Sequence, residues 1–213
     1  MERVICLVIG YVFGLLQTGY LYGKMKGIDI RKHGSGNAGS TNALRTMGLK
    51  AGIITLLGDC FKCVAAVAIV RLLFRPSYED ILPLLSFYAG FGAVLGHNYP
   101  FYLKFKGGKG IAATAGMMLA TDVRMAALCL FVFVVIVAVT RYVSLGSLTV
   151  TALFLAEIVV AGQMGEFGMT QVRLLEMYGV GLLFVFSAFF QHRANIKRLR
   201  EGTENKIGTK KKE

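Results

Sequence analysis

Uninterrupted apolar runs of about twenty residues recur along the 213-residue chain, and they limit the possible folds before any other feature does. At 1.5 Å rise per residue a helix of ~20 residues matches the hydrocarbon thickness of a bilayer. Hydrophobic residues make up 55% of the chain and charged residues only 17%, with a mean hydropathy of +0.59. Soluble domains carry roughly a quarter charged residues, so a single soluble core has no place for this much apolar side chain. With no Trp and three Pro, the spans are expected to be mostly unbroken helices. The chain is therefore expected to be an all-α integral membrane protein forming one membrane-embedded domain over residues 1–213.

Seven apolar segments stand out: residues 4–23, 49–74, 81–97, 108–121, 123–140, 143–162 and 173–191. The fourth is short, and a six-span arrangement with 108–121 re-entrant is the alternative. The distribution of basic residues favours seven. On that count eighteen Lys and Arg fall on one side, seventeen of them in inward segments 24–48, 97–110, 141–147 and 191–207 and the basic tail 208–213, and Lys50 at the inner end of the second apolar segment. Five fall on the other side, and Lys62 lies within a span. Basic loops stay cytoplasmic, which puts the N-terminus outside and the C-terminus in the cytoplasm. The same bias explains the net charge of +12 without nucleic acid. No small-residue cleavage pattern follows the first run, so it is expected to be a retained span.

Cys6, Cys60, Cys63 and Cys129 all fall in apolar runs, which argues for packing rather than a disulfide framework or a metal site. Asp59 and Lys62, at i and i+3 in the second run, are expected to neutralise each other. All three histidines (His33, His97, His192) and all five asparagines (Asn37, Asn42, Asn98, Asn195, Asn205) lie in the inward segments or at their helix ends. That asymmetry points to a polar site on the inward face.

Four segments carry the candidate chemistry. The first runs from Asp29 to Arg45 and alternates Gly34, Gly36 and Gly39 with Ser35, Asn37, Ser40, Thr41 and Asn42. Glycines allow backbone N–H groups to converge on an anion, and hydroxyl and amide side chains add donors. The second, from Gly96 to Gly110, combines Lys104, Lys106 and Lys109 with Gly107, Gly108 and Gly110 just before an apolar helix. It lacks the Walker A spacing but suits phosphate at a helix start. The third places Ser144 and Ser147 at the inner end of a span. In the fourth, His192 and Asn195 are three apart and share a helix face.

Together and in this order, these strings resemble the bacterial acyl-phosphate-dependent glycerol-3-phosphate acyltransferases of the PlsY type. The matching residues are Gly34-Ser35-Gly36-Asn37 with Thr41-Asn42, Gly96-His97 with Phe105-Lys106-Gly107-Gly108-Lys109-Gly110, Val143-Ser144-Leu145, and His192-Arg193 with Asn195-Ile196. The family usually has Ser-x-Pro where Gln17-Thr18-Gly19 stands here. The resemblance implies transfer of a fatty acyl group from acyl phosphate to the 1-hydroxyl of sn-glycerol 3-phosphate, at the cytoplasmic face of a bacterial plasma membrane. It implies Ser35, Arg45, Lys104, His192 and Asn195 as the catalytic centre. Asn37, Thr41, Asn42, Gly107, Gly108, Lys109, Gly110 and Ser144 would bind phosphate or support it.

No Gly-x-Ser-x-Gly nucleophile motif is present and no cysteine lies at the polar face, which speaks against a covalent acyl-enzyme. No metal-ligand spacing is visible, so neither metal nor cofactor is expected. Expected partners are the two substrates and membrane lipid, with no nucleic acid. The rival readings are a transporter for a phosphorylated solute and a lipid-binding scaffold.

Overall fold

The structure, a computed structural model, describes residues 1–208 and is helical throughout that range. Lys210, Lys211 and Lys212 of the expected basic tail lie outside the described residues. The helices are α1 (Glu2–Gly14), α2 (Thr18–Met25), α3 (Ser40–Met47), α4 (Leu49–Tyr78), α5 (Leu82–Asn98), α6 (Ile111–Thr121), α7 (Val123–Thr140), α8 (Val143–Gln163), α9 (Gln171–Gln191) and α10 (Arg193–Arg200). All seven predicted apolar segments are helical. Five stretches are long and apolar enough to cross a bilayer, one of them holding both α4 and α5. The segment predicted at 108–121 begins only at Ile111, and its eleven residues span about 16 Å, half of the hydrocarbon core.

Helix α5 is central, lying against α1, α4, α6 and α9. Small residues on α1 and α5 let those two backbones approach closely. Gly10 and Gly14 lie against the Ala89 and Ala93 carbonyls, while Gly92 and Gly96 lie against those of Leu7 and Tyr11. A Cβ at any of the four would collide with the opposing backbone. This reciprocal small-xxx-small pairing is how helices associate where lipid supplies no hydrophobic drive. On the other side of α5, Phe87 stacks on Phe154 of α8 at 5.9 Å and meets Phe184 of α9 edge-on at 6.2 Å. At the end opposite the polar segments, Glu176 of α9 binds Arg3 of α1 and accepts from Tyr88 of α5 at 3.0 Å. Helix α7 is the most exposed span, with Met125 and Cys129 its buried residues.

The expected unbroken first span is interrupted at residues 15–17. A break leaves carbonyls without intrahelical partners, which hydrocarbon does not tolerate. Each freed carbonyl finds a side chain. Gln17 Nε2 faces the Gly14 oxygen at 3.2 Å, Tyr102 Oη donates to Leu15 O at 2.6 Å and Lys62 Nζ donates to Leu16 O at 2.6 Å. Gln17, 1% exposed, also faces the Gly96 and His97 carbonyls at the end of α5. Gln17 thus joins the break in the first span to α5.

Substituting Gly92 by leucine should drive α1 from α5 and lower stability by about 1–3 kcal/mol, whereas Leu130→Ala on exposed α7 should change it little. Thermal unfolding of the detergent-purified variants checks this.

Candidate active site

The first inward segment is organised by Asn42, which is 2% exposed. Its Oδ1 accepts from the Ser35 N–H at 2.9 Å, and its Nδ2 faces the carbonyls of Ile30, His33 and Asn37 at 2.9–3.2 Å. Asn42 therefore shapes the loop and has no polar atom left for a ligand. Gly34 and Gly36 adopt positive φ, and a Cβ on Gly34 would strike Asn42 Oδ1. Asn37 Oδ1 caps the Gly39 N–H at 2.9 Å, and Asn37 faces the cleft described next.

A cleft of about 330 Å³ opens where three of the four segments meet. Asn37 contributes from the first and Phe105 to Lys109 from the second, with Asn98 and Tyr99 below them. Phe190, Gln191, Arg193 and Ala194 close the other side. The two glycine N–H groups expected to bind an anion are engaged otherwise: Gly108 N donates to His97 O at 3.0 Å and Gly107 N to Asn98 O at 3.2 Å. They pin the loop onto the end of α5. The free donors begin further on, because α6 starts at Gly110 with no side-chain cap on its N-terminus. Open N–H groups and the positive end of the helix macrodipole favour an anion there. Lys104 and Phe105 both hold positive φ (55° and 58°), a left-handed conformation that costs side-chain-bearing residues about 1–2 kcal/mol each.

Lys109 Nζ donates to Asn195 Oδ1, joining the second and fourth segments. Asn195 Nδ2 donates to Glu204 Oε1 at 2.7 Å, and Ser144 Oγ donates to the same oxygen at 3.1 Å. Arg198 Nε donates to Glu204 Oε2 at 2.7 Å. Glu204, its side chain 5% exposed, is thus the group on which the third and fourth segments converge, and the sequence reading missed it. Arg141 fixes the strand that carries Glu204: its guanidinium donates to Ile207 O at 2.8 Å, and Ile207 N donates back to Arg141 O at 2.9 Å.

His192 is buried beside this cluster, with Nδ1 2.8 Å from Ala188 O. A carbonyl only accepts, so Nδ1 carries the proton and Nε2 keeps its lone pair. Burial and the neighbouring Lys109 charge lower the His192 pKa to about 4, so the ring is neutral at physiological pH. Burial, with Arg198 and Arg45 nearby, lowers the Lys109 pKa to about 8 against the opposing pull of Glu204. The side chains of Ser35, Arg45 and Lys104 are exposed and do not line the cleft, and Thr41 lies in the first turn of α3.

The site these helices define is a glycine-lined cleft bearing Lys106, Lys109 and Arg193 at one end of an integral membrane bundle. The sequence profile described as glycerol-3-phosphate acyltransferase matches residues 4–202. A glycerol-3-phosphate acyltransferase of Clostridioides difficile is 44% identical over 98% of this chain and 97% of its own. One from Geobacter sulfurreducens is 39% identical over 97% and 98%. The crystal structure of PlsY, an integral membrane glycerol 3-phosphate acyltransferase, in its glycerol 3-phosphate form superposes with a TM-score of 0.84 at 31% identity. That likeness covers 98% of this chain and 97% of the other. The lysophosphatidic acid form of PlsY gives 0.81 at 30% identity, with the same coverage. The chain belongs to the glycerol-3-phosphate acyltransferase family, and is an acyltransferase of the membrane.

Two outcomes follow from this geometry. Lys109 is cationic below its pKa, so the KM for an anionic substrate should climb as pH rises through about 8, and Lys109→Arg should move that limb to higher pH. Glu204→Gln removes the charge that Arg198, Asn195 and Ser144 share. It should cost about 1–3 kcal/mol of stability and at least tenfold in activity, measured by thermal unfolding and initial rates.

Proposed function

We propose that the protein transfers a fatty acyl group from acyl phosphate to the 1-hydroxyl of sn-glycerol 3-phosphate, releasing 1-acylglycerol 3-phosphate and inorganic phosphate. The observation that carries this reading is the cleft lined by Asn37 and Lys109, with Asn195 bonded to Lys109 and the uncapped start of α6 two residues further along the chain. Both substrates bear phosphate, and such a cleft can hold anions while the acyl chain lies in lipid. The positive-inside bias places this face in the cytoplasm of a bacterial plasma membrane, with seven crossings of one domain and the N-terminus outside.

The glycerol hydroxyl oxygen attacks the acyl carbonyl carbon, the bond from that carbon to the phosphate oxygen breaks, and phosphate leaves. The proton from the hydroxyl passes to a phosphate oxygen or to His192 Nε2. An acyl phosphate is already activated, and a base with a pKa near 4 has little pull at neutral pH. The phosphate oxygen is therefore the better acceptor, and His192 orients the hydroxyl. Lys109 balances phosphate charge and Asn195 orients a substrate oxygen beside the cleft, while Ser35, Arg45 and Lys104 act from exposed positions outside its lining, drawn in by the bound substrate. Positioning and charge neutralisation supply the rate, without a metal, a cofactor or a covalent acyl-enzyme.

The test is a donor comparison on purified protein: glycerol 3-phosphate with acyl phosphate, acyl-CoA or acyl-carrier protein, following phosphate release and lysophosphatidate. Turnover with acyl phosphate alone is expected. Turnover with the thioesters would overturn the donor assignment, and no turnover with any donor in folded protein would favour a transporter. His192→Ala should retain measurable turnover with a flat profile between pH 6 and 8. An acid-side limb near pH 4 in the wild type that His192→Ala abolishes would make His192 the base. Activity lost to a chelator and restored by a divalent ion would refute metal independence.

A further inference from the structure

Below the glycine loop lies a buried polar group that the reaction above does not use. Lys62 of α4 is 4% exposed, and its ammonium makes three contacts: Leu16 O at 2.6 Å, Asp59 Oδ1 at 2.9 Å and His97 Nδ1 at 2.8 Å. Thr18 Oγ1 also donates to Asp59 Oδ1, at 3.1 Å. An ammonium has three hydrogens and no lone pair, so every hydrogen is spoken for and His97 Nδ1 must be the acceptor. His97 is thereby held as the neutral ring with its proton on Nε2. Among the described residues Nε2 has no hydrogen-bond partner.

What lies over Nε2 is the glycine loop. A Cβ on Gly108 would collide with His97 Nε2, and one on Gly107 would collide with the His97 carbonyl oxygen. That carbonyl accepts from Gly108 N at 3.0 Å and faces Gln17 Nε2 at 3.0 Å. The ring and the main chain of one residue thus support the loop that lines the cleft and leads into the free N-terminus of α6.

We propose that Lys62 and His97 are positioning residues for the phosphate-binding loop, with Lys62 acting through the His97 ring. The ring sets the height of Gly107–Gly108, and with it where Lys109 and the start of α6 meet a phosphate. This rests on the reading that the loop holds a substrate phosphate.

The experiment measures binding of glycerol 3-phosphate, and separately of inorganic phosphate, by calorimetry on the purified full-length protein in detergent. His97→Asn keeps an acceptor for Lys62 and deletes the part of the ring beneath Gly108. Asp59→Asn with Lys62→Met removes the charge pair together, leaving no unpaired buried ion. Both should weaken binding about tenfold or more, with kcat at saturating substrate within about threefold of wild type. Unchanged affinity in folded His97→Asn overturns the proposal, as does a fall in kcat with unchanged affinity. If the double variant does not fold, His97→Asn decides alone. With only three histidines in the chain, the 15N ring signals removed by His97→Asn identify this residue. They should show Nε2–H with Nδ1 accepting, and an Nδ1–H ring refutes the mechanism. Wild-type protein that binds phosphate but not glycerol 3-phosphate would overturn the acceptor assignment above, while the phosphate constants of the variants still test the positioning role.

Discussion

A lysine ammonium sealed inside a membrane bundle is tolerable only if each of its hydrogens has an acceptor, and the polar end of this protein is arranged around that requirement. Lys62 meets it with a carboxylate one turn away, a carbonyl exposed by the break in the first span and the imidazole at the end of α5. The break needs the lysine as much as the lysine needs the break. Gln17 and Tyr102 satisfy the other freed carbonyls, so α1, α2, α4 and α5 are joined at one level of the molecule. The glycine loop is built on that junction.

Around the cleft the electrostatics are asymmetric. Arg45 and Arg198 are close enough to help lower the Lys109 pKa, and Glu204 is the counter-charge among them. A buried carboxylate receiving donors from Ser144, Asn195 and Arg198 lets a cationic cluster persist without a bound ligand. His192, uncharged in this setting, adds an oriented lone pair instead of a further positive charge.

Much of this was legible in the sequence, for physical reasons that differ by element. Apolar runs and basic loops gave the helices and their order, because length and charge are read directly by the bilayer. The inward clustering of His and Asn pointed to one end of the bundle, where Asn37 and Lys109 line a cleft and Asn195 is bonded to Lys109. The break at residues 15–17 was not legible, because one Gln after Leu15-Leu16 does not by itself end an apolar run and no Pro marks it. Glu204 looked like any acid in a basic tail, since one of its partners, Ser144, is sixty residues away. For Asn42 and the Gly107 and Gly108 N–H groups, residue type showed the capacity to donate, and only geometry shows where the donor is spent: on the first loop itself and on the end of α5.

The short α6 has an effect on the cost of handling an acyl chain. It is joined to α7 through Asp122 alone and is seven residues shorter, and its eleven residues cover about 16 Å, so α6 cannot hold both of its ends at the two surfaces of the hydrocarbon core. Lifting a lipid chain into water costs about 0.8 kcal/mol for each methylene. On the acyl transfer proposed above, a start of α6 below the membrane surface would let the small water-soluble substrate descend to the reactive carbonyl, so the greasy one would never have to leave its solvent.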